Sequence, residues 1–159
     1  MAQVLSAIKP LCNNLTAIVA TTDNGGNTGR IREAQNCIAL GDIRRCCVQL
    51  AGEGSIAHSV YEHRFTSGDI EGHCLGNLTL LGLTQVMDSP TQAIACFNKL
   101  LGNCETVLPM SDIPTDLVAE LDNGEKVFGE CTICLLYQSN AADALPWLTQ
   151  GGAPATHQP

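Results

Sequence analysis

The chain has 159 residues, 45% of them hydrophobic and 15% charged. That balance supports a folded core and excludes a disordered chain. A net charge of −8 excludes a general nucleic-acid surface. No apolar run approaches a bilayer span, and no secretory signal pattern opens the sequence, so a cytoplasmic protein with no membrane partner is expected.

The charge is unevenly placed. All five arginines (Arg30, Arg32, Arg44, Arg45 and Arg64) fall between positions 30 and 64, and the window 23–64 holds five acids to balance them. Outside that window eleven acids face three lysines. Arginine is the side chain suited to forked recognition of phosphate or carboxylate. Two readings stand side by side: a site for a phosphorylated small ligand, or helix-surface ion pairs with Glu33, Asp42, Glu53 and Glu62. The nine cysteines are odd in number and irregular in spacing, which argues against a disulfide framework. Most read as small buried hydrophobes.

In chain order, the spacing of Val4, Leu5, Ala7, Ile8 and Leu11 predicts a helix over 2–11. It opens without a capping residue, as though half of a βαβ unit lacked its first strand. The run 15–22 predicts a buried strand, followed by a glycine loop and a short helix or turn over 29–34. Gly41-Asp42-Ile43-Arg44 predicts a helix start with Asp42 as N-cap. Ser55 is expected to cap a helix reaching 64–65. A long apolar helix is expected over 75–87, then one from Ser89-Pro90 with proline in its first turn. Thr106–Pro109 predicts a strand. Segments 116–121 and 126–133 predict two strands around Asn123-Gly124, a hairpin signal. In the second of these, Cys131 and Cys134 would point to opposite faces. The expected organisation is one partial domain over 1–139, then a short helix and loose tail over 140–159. The fold class is α/β: a Rossmann-like parallel sheet core with flanking helices and a β-hairpin.

Two stretches carry candidate chemistry. Asp23-Asn24-Gly25-Gly26-Asn27-Thr28-Gly29 follows a strand and precedes a helix. It matches neither the dinucleotide fingerprint nor the Walker loop. Its place at a strand's C-terminal end favours a ligand, because open α/β sheets bind there. Gly72-His73-Cys74-Leu75-Gly76-Asn77 sits at a helix mouth and is the second candidate. No nucleophile arrangement can be argued from spacing, so no catalytic residue is assigned.

Taken together, these segments resemble the gluconeogenesis factor family of bacteria, related to the 2-phospho-L-lactate transferases of deazaflavin coenzyme synthesis. The matching pieces are Asp23-Asn24-Gly25-Gly26-x-Thr28-Gly29-Arg30-Ile31-Arg32, Gly41-Asp42-Ile43-Arg44, Tyr61-Glu62-x-Arg64-Phe65, Gly72-His73-x-Leu75-Gly76-Asn77 and Leu108-Pro109-Met110-Ser111. The resemblance implies a family domain about twice this length, with a glycine loop before the first helix and another after the last matched segment. The chain then looks like a truncated member. It also implies two roles. One is a regulator that binds a UDP-sugar such as UDP-N-acetylglucosamine and supports cell shape and envelope synthesis on gluconeogenic carbon. The other is a magnesium-dependent phospholactyl transfer to a deazaflavin acceptor. By this resemblance Asp23, Asn24, Gly25, Gly26, Asn27 and Thr28 line a site, Arg44 neutralises a diphosphate, and His73 and Asn77 shape its wall. Asn24 stands where the family's second aspartate is usual, and Arg45 where it commonly has asparagine. No metal ligand is assigned, and a homo-oligomer is left open.

Overall fold

A computed structural model describes residues 1–136. The helix and tail expected over 140–159 lie outside the described residues. The chain forms two compact units, Met1–Asp116 and a second beginning at Leu117.

The first unit is built on two parallel strands. β1 (Thr16–Val19) pairs with β2 (Thr106–Pro109) in the register Thr16 to Thr106 through Val19 to Pro109. Five helices lie between them in sequence: α2 (Gly26–Gln35), α3 (Gly41–Leu50), α4 (Ile56–Glu62), α5 (Leu75–Val86) and α6 (Pro90–Leu100). Before β1 come α1 (Ala2–Ile8) and a short 3-10 turn, Lys9–Leu11. A parallel pair needs such a crossover, and here it carries most of the core. One sheet face is buried through Ala17, Val19 and Val107. Leu5, Ile43, Cys47, Val48, Leu80, Ile94 and Phe97 pack with these strand residues in one cluster. Tyr61 of α4 meets Phe97 edge-on, with ring centroids 5.0 Å apart, a favoured aromatic geometry. The expected parallel α/β core is therefore present.

The expected Ser55 cap is formed, and Ser89, ahead of the expected first-turn proline, caps α6 as well. The Ser55 hydroxyl accepts from the His58 amide at 3.0 Å, and the Ser89 hydroxyl from the Gln92 amide at 3.2 Å. Asp42 is not an N-cap. α3 begins two residues earlier than that cap implies, at Gly41, with Leu40 in the capping position. Asp42 sits in the first turn instead, where a carboxylate favours the helix dipole. α2 starts at Gly26, three residues before the expected start.

In the second unit, β3 (Val118–Glu120) and β4 (Lys126–Phe128) form the expected antiparallel hairpin. β4 is shorter than predicted. Gly129 turns the chain at φ +86° and a helical stretch follows over 130–136. Cys131 and Cys134 therefore lie about one helical turn apart, not on opposite faces of a strand. None of the nine cysteines is in a disulfide. Among the described residues, no helix is long and apolar enough to cross a membrane.

Candidate functional site

The site is assembled where β1 ends. Beyond Val19 the chain leaves the sheet, and the Thr21 carbonyl accepts from the Ala39 amide at 3.2 Å. That bond ties the start of the loop to the segment leading into α3. The Gly25 amide donates to Asp23 Oδ1 at 2.8 Å, an Asx-turn closed by a short polar side chain. Gly25, extended, is the N-cap of α2 and brings no side-chain acceptor. The first backbone bond of this helix runs from Gly29 N–H to Gly25 C=O at 3.1 Å. The amides of Gly26, Asn27 and Thr28 precede it and, among the described residues, are the free donors of a helix start. Such a helix end favours an anion.

α3 closes against this turn. A Cβ on Gly41 would come within 2.5 Å of Thr28 Oγ1, so α3 meets α2 where it lacks a side chain. The loop before α5 is tied in by Asn27, whose Nδ2 donates to the Gly72 carbonyl at 2.6 Å. Arg64 donates to the same carbonyl at 3.0 Å.

Between these parts lies a cleft of about 410 Å³. It is lined by Asp23, Gly25, Gly26, Asn27, Thr28, Gly41, Arg44, Arg45, Arg64 and Asn77. A larger cleft of about 630 Å³, with Lys9 and Glu105 in its wall, borders the residue preceding β2. Ligands of open α/β sheets bind beyond the carboxyl ends of the strands, so the smaller, polar cleft is the candidate site.

Seven of the nine residues singled out in the sequence line this cleft: Asp23, Gly25, Gly26, Asn27, Thr28, Arg44 and Asn77. Two do not. Asn24 lines a separate cleft with Arg32, Glu33 and Asp116. His73 is buried outside the lining, its backbone bonded to Phe65 and Ile70 and its Nδ1 without a partner among the described residues. Gly41, Arg45 and Arg64 line the cleft but were not singled out. Their signal was the arginine island and the Gly-Asp-x-Arg and Tyr-Glu-x-Arg segments.

Arg44 is not placed as a freely available cation. It is only 2% exposed, with Nε donating to Asn77 Oδ1 at 3.3 Å and NH1 paired with the Glu62 carboxylate. A Cβ on Gly76 would lie 2.7 Å from its Cγ, so α5 is cut away to admit the side chain. Arg45 and Arg64 are exposed. Arg45 meets Asp42 at 3.1 Å. Asp23 is the single carboxylate in the lining, and among the described residues no three His, Cys, Asp or Glu gather as metal ligands.

The first unit is thus an α/β unit with a cleft behind a glycine loop at a strand's carboxyl end, its lining holding three arginines and one carboxylate. The family model described as 2-phospho-L-lactate transferase CofD matches residues 1–157, and the chain belongs to that family. A Yersinia pestis protein named "Putative gluconeogenesis factor" is 43% identical over 87% of this chain and 45% of its own length. A Listeria monocytogenes protein named "Gluconeogenesis factor" is 37% identical over 83% of this chain and 41% of its own. A crystal structure of a UPF0052-family protein from Bacillus halodurans is 33% identical, with a TM-score of 0.79 over 83% of this chain and 43% of that one. The chain spans less than half the length of these relatives.

Proposed function

We propose that the chain forms one wall of the nucleotide-sugar site of a gluconeogenesis factor, a regulator that binds a UDP-sugar such as UDP-N-acetylglucosamine. The observation that carries this reading is the cleft at the end of β1. There the donor-rich start of α2 faces a lining with three arginines and one carboxylate. A diphosphate suits that balance. The names of the relatives support the gluconeogenesis factor part of this reading. Control of cell shape and envelope synthesis on gluconeogenic carbon goes with this reading. Titration calorimetry of the intact protein with UDP-N-acetylglucosamine tests the binding. Saturable heat is expected, and its absence at millimolar ligand would remove the proposal.

The description of the matched family favours a second reading, transfer of a phospholactyl group to a deazaflavin acceptor. Magnesium would then have Asp23 as its one carboxylate in the cleft, with ligand phosphates supplying other oxygens. An acceptor-consumption assay with magnesium decides between the two, and no turnover by intact protein removes the enzyme.

A further inference from the structure

We infer that Arg45 and Arg64, rather than Arg44, grip the ligand's diphosphate, and that Asp42 holds Arg45 until the ligand displaces it. This inference rests on the nucleotide-sugar reading above and assigns roles within the same cleft.

The three arginines are alike in sequence and unlike in structure. Arg44 is committed: buried, charge-paired with Glu62, and bonded to Asn77. Its guanidinium cannot turn to a ligand without leaving Glu62 unpaired, so it acts as a positioning residue. It fixes Asn77, and with it the α5 side of the cleft. Arg64 spends one donor on the Gly72 carbonyl. A guanidinium carries five N–H donors in a fixed fork, so Arg64 is anchored with donors to spare. Arg45 is the loosest. Its side chain is 58% exposed and its partner Asp42 49% exposed. Pairs of that kind contribute little and exchange readily.

Position adds to this. Arg44, Arg45 and Arg64 line the 410 Å³ cleft and also a second cleft of about 480 Å³. They form the wall shared by the two, and Asp42 borders only the second. A ligand with two adjoining phosphoryl groups can place them over this arginine wall, beside the donor-rich start of α2. Arginine forks match phosphate oxygens in pairs. The inferred ligand class is a molecule with an internal diphosphate. No covalent step is involved.

The test is titration of the intact protein with inorganic pyrophosphate and, separately, with UDP-N-acetylglucosamine. Arg45→Gln and Arg64→Gln are each expected to weaken both ligands by about tenfold or more, the scale of one charge-assisted contact. Lys99→Gln removes the same charge from an exposed position on α6 and is expected to change affinity less than about twofold. Asp42→Asn is expected to tighten pyrophosphate by about two- to fivefold, because the exposed pair it breaks competes with the ligand. A purely structural role for Arg45 predicts no such gain. Equal losses in the Lys99 and Arg45 variants, or unchanged affinity in the Arg45 and Arg64 variants, would overturn the assignment. Pyrophosphate binding that depends on both arginines, without UDP-N-acetylglucosamine binding, would keep the clamp and remove the nucleotide-sugar reading.

Discussion

Arg44 and Glu62 form an ion pair whose cationic side is buried, joining α3 to the last residue of α4. The guanidinium is 2% exposed and the carboxylate side chain 35% exposed. The pair is asymmetric: water reaches the acid but not the base. Removing the Glu62 side chain beyond Cβ leaves a buried cation with, among the described residues, the Asn77 oxygen to accept from it. Glu62→Ala is therefore expected to destabilise the first unit by about 2 kcal/mol, the low end for breaking a buried pair because Glu62 is partly solvated. Urea unfolding measures it. A shift under about 0.5 kcal/mol, the level of a surface pair, would mean that Arg44 finds other partners.

The contact between Gly41 and Thr28 invites a double-mutant cycle. A methyl at Gly41 would meet Thr28 Oγ1 at 2.5 Å, inside van der Waals distance. Gly41→Ala is expected to cost about 1–3 kcal/mol, the range for overpacking. Thr28→Ala removes the atom that is struck. The double variant should recover most of that cost, giving a coupling of about 1 kcal/mol or more. Additive effects would show that the start of α3 is strained by Gly41→Ala for a reason unrelated to Thr28.

Much of this architecture is legible in the sequence, and the exceptions have physical causes. Ser55 and Ser89 cap their helices because a hydroxyl before a helical run has one local use. The β1 and β2 runs read as strands from their β-branched content. Asp42 misled because a carboxylate serves equally at the cap or inside the first turn, and Leu40 already holds the cap position. The helical stretch over 130–136 was hidden because 126–133, rich in β-branched and aromatic residues, reads as one strand, while the turn at Gly129 is set by a single positive φ. In the site, the loop residues were legible because the strand–glycine–helix order places them. The role of Arg44 was not. It depends on Glu62, 18 residues away and brought back by the packing of α4. Asn24 sits between Asp23 and Gly25, which line the cleft, yet does not line it itself, because a tight turn sends neighbouring side chains in different directions.

Cys47 should be chemically silent in the folded protein. Burial, aided by the neighbouring Cys46, pushes its thiol up to about 12. Only the thiolate reacts with alkylating agents, so at pH 8 almost none is available. Cys12 and Cys104 are exposed. Mass spectrometry after brief iodoacetamide treatment should find them modified and Cys47 untouched, with Cys47 labelled only in urea. Modification of native Cys47 at the rate of Cys12 would contradict its burial.

Glu105 supplies a pH dependence whose sign can be worked out. Burial alone would raise its pKa. The hydrogen bond from Lys9, backbone amides and the Lys9 charge outweigh burial and hold it below the ordinary 4.5. Lys9 Nζ lies 2.9 Å from Glu105 Oε1 and donates to the Leu50 carbonyl at 2.7 Å. This joins the turn after α1, the end of α3 and the residue before β2. A carboxylate with a depressed folded pKa binds protons more weakly folded than unfolded. Its contribution is full above the unfolded value near 4.5 and fades as pH falls through the lower folded value. Glu105→Gln removes the charge at every pH. Wild type should exceed this variant in urea midpoint at pH 6, and the gap should shrink from pH 4.5 downward. A gap unchanged at pH 3 would place the stabilising element in the shape of the side chain rather than in its charge.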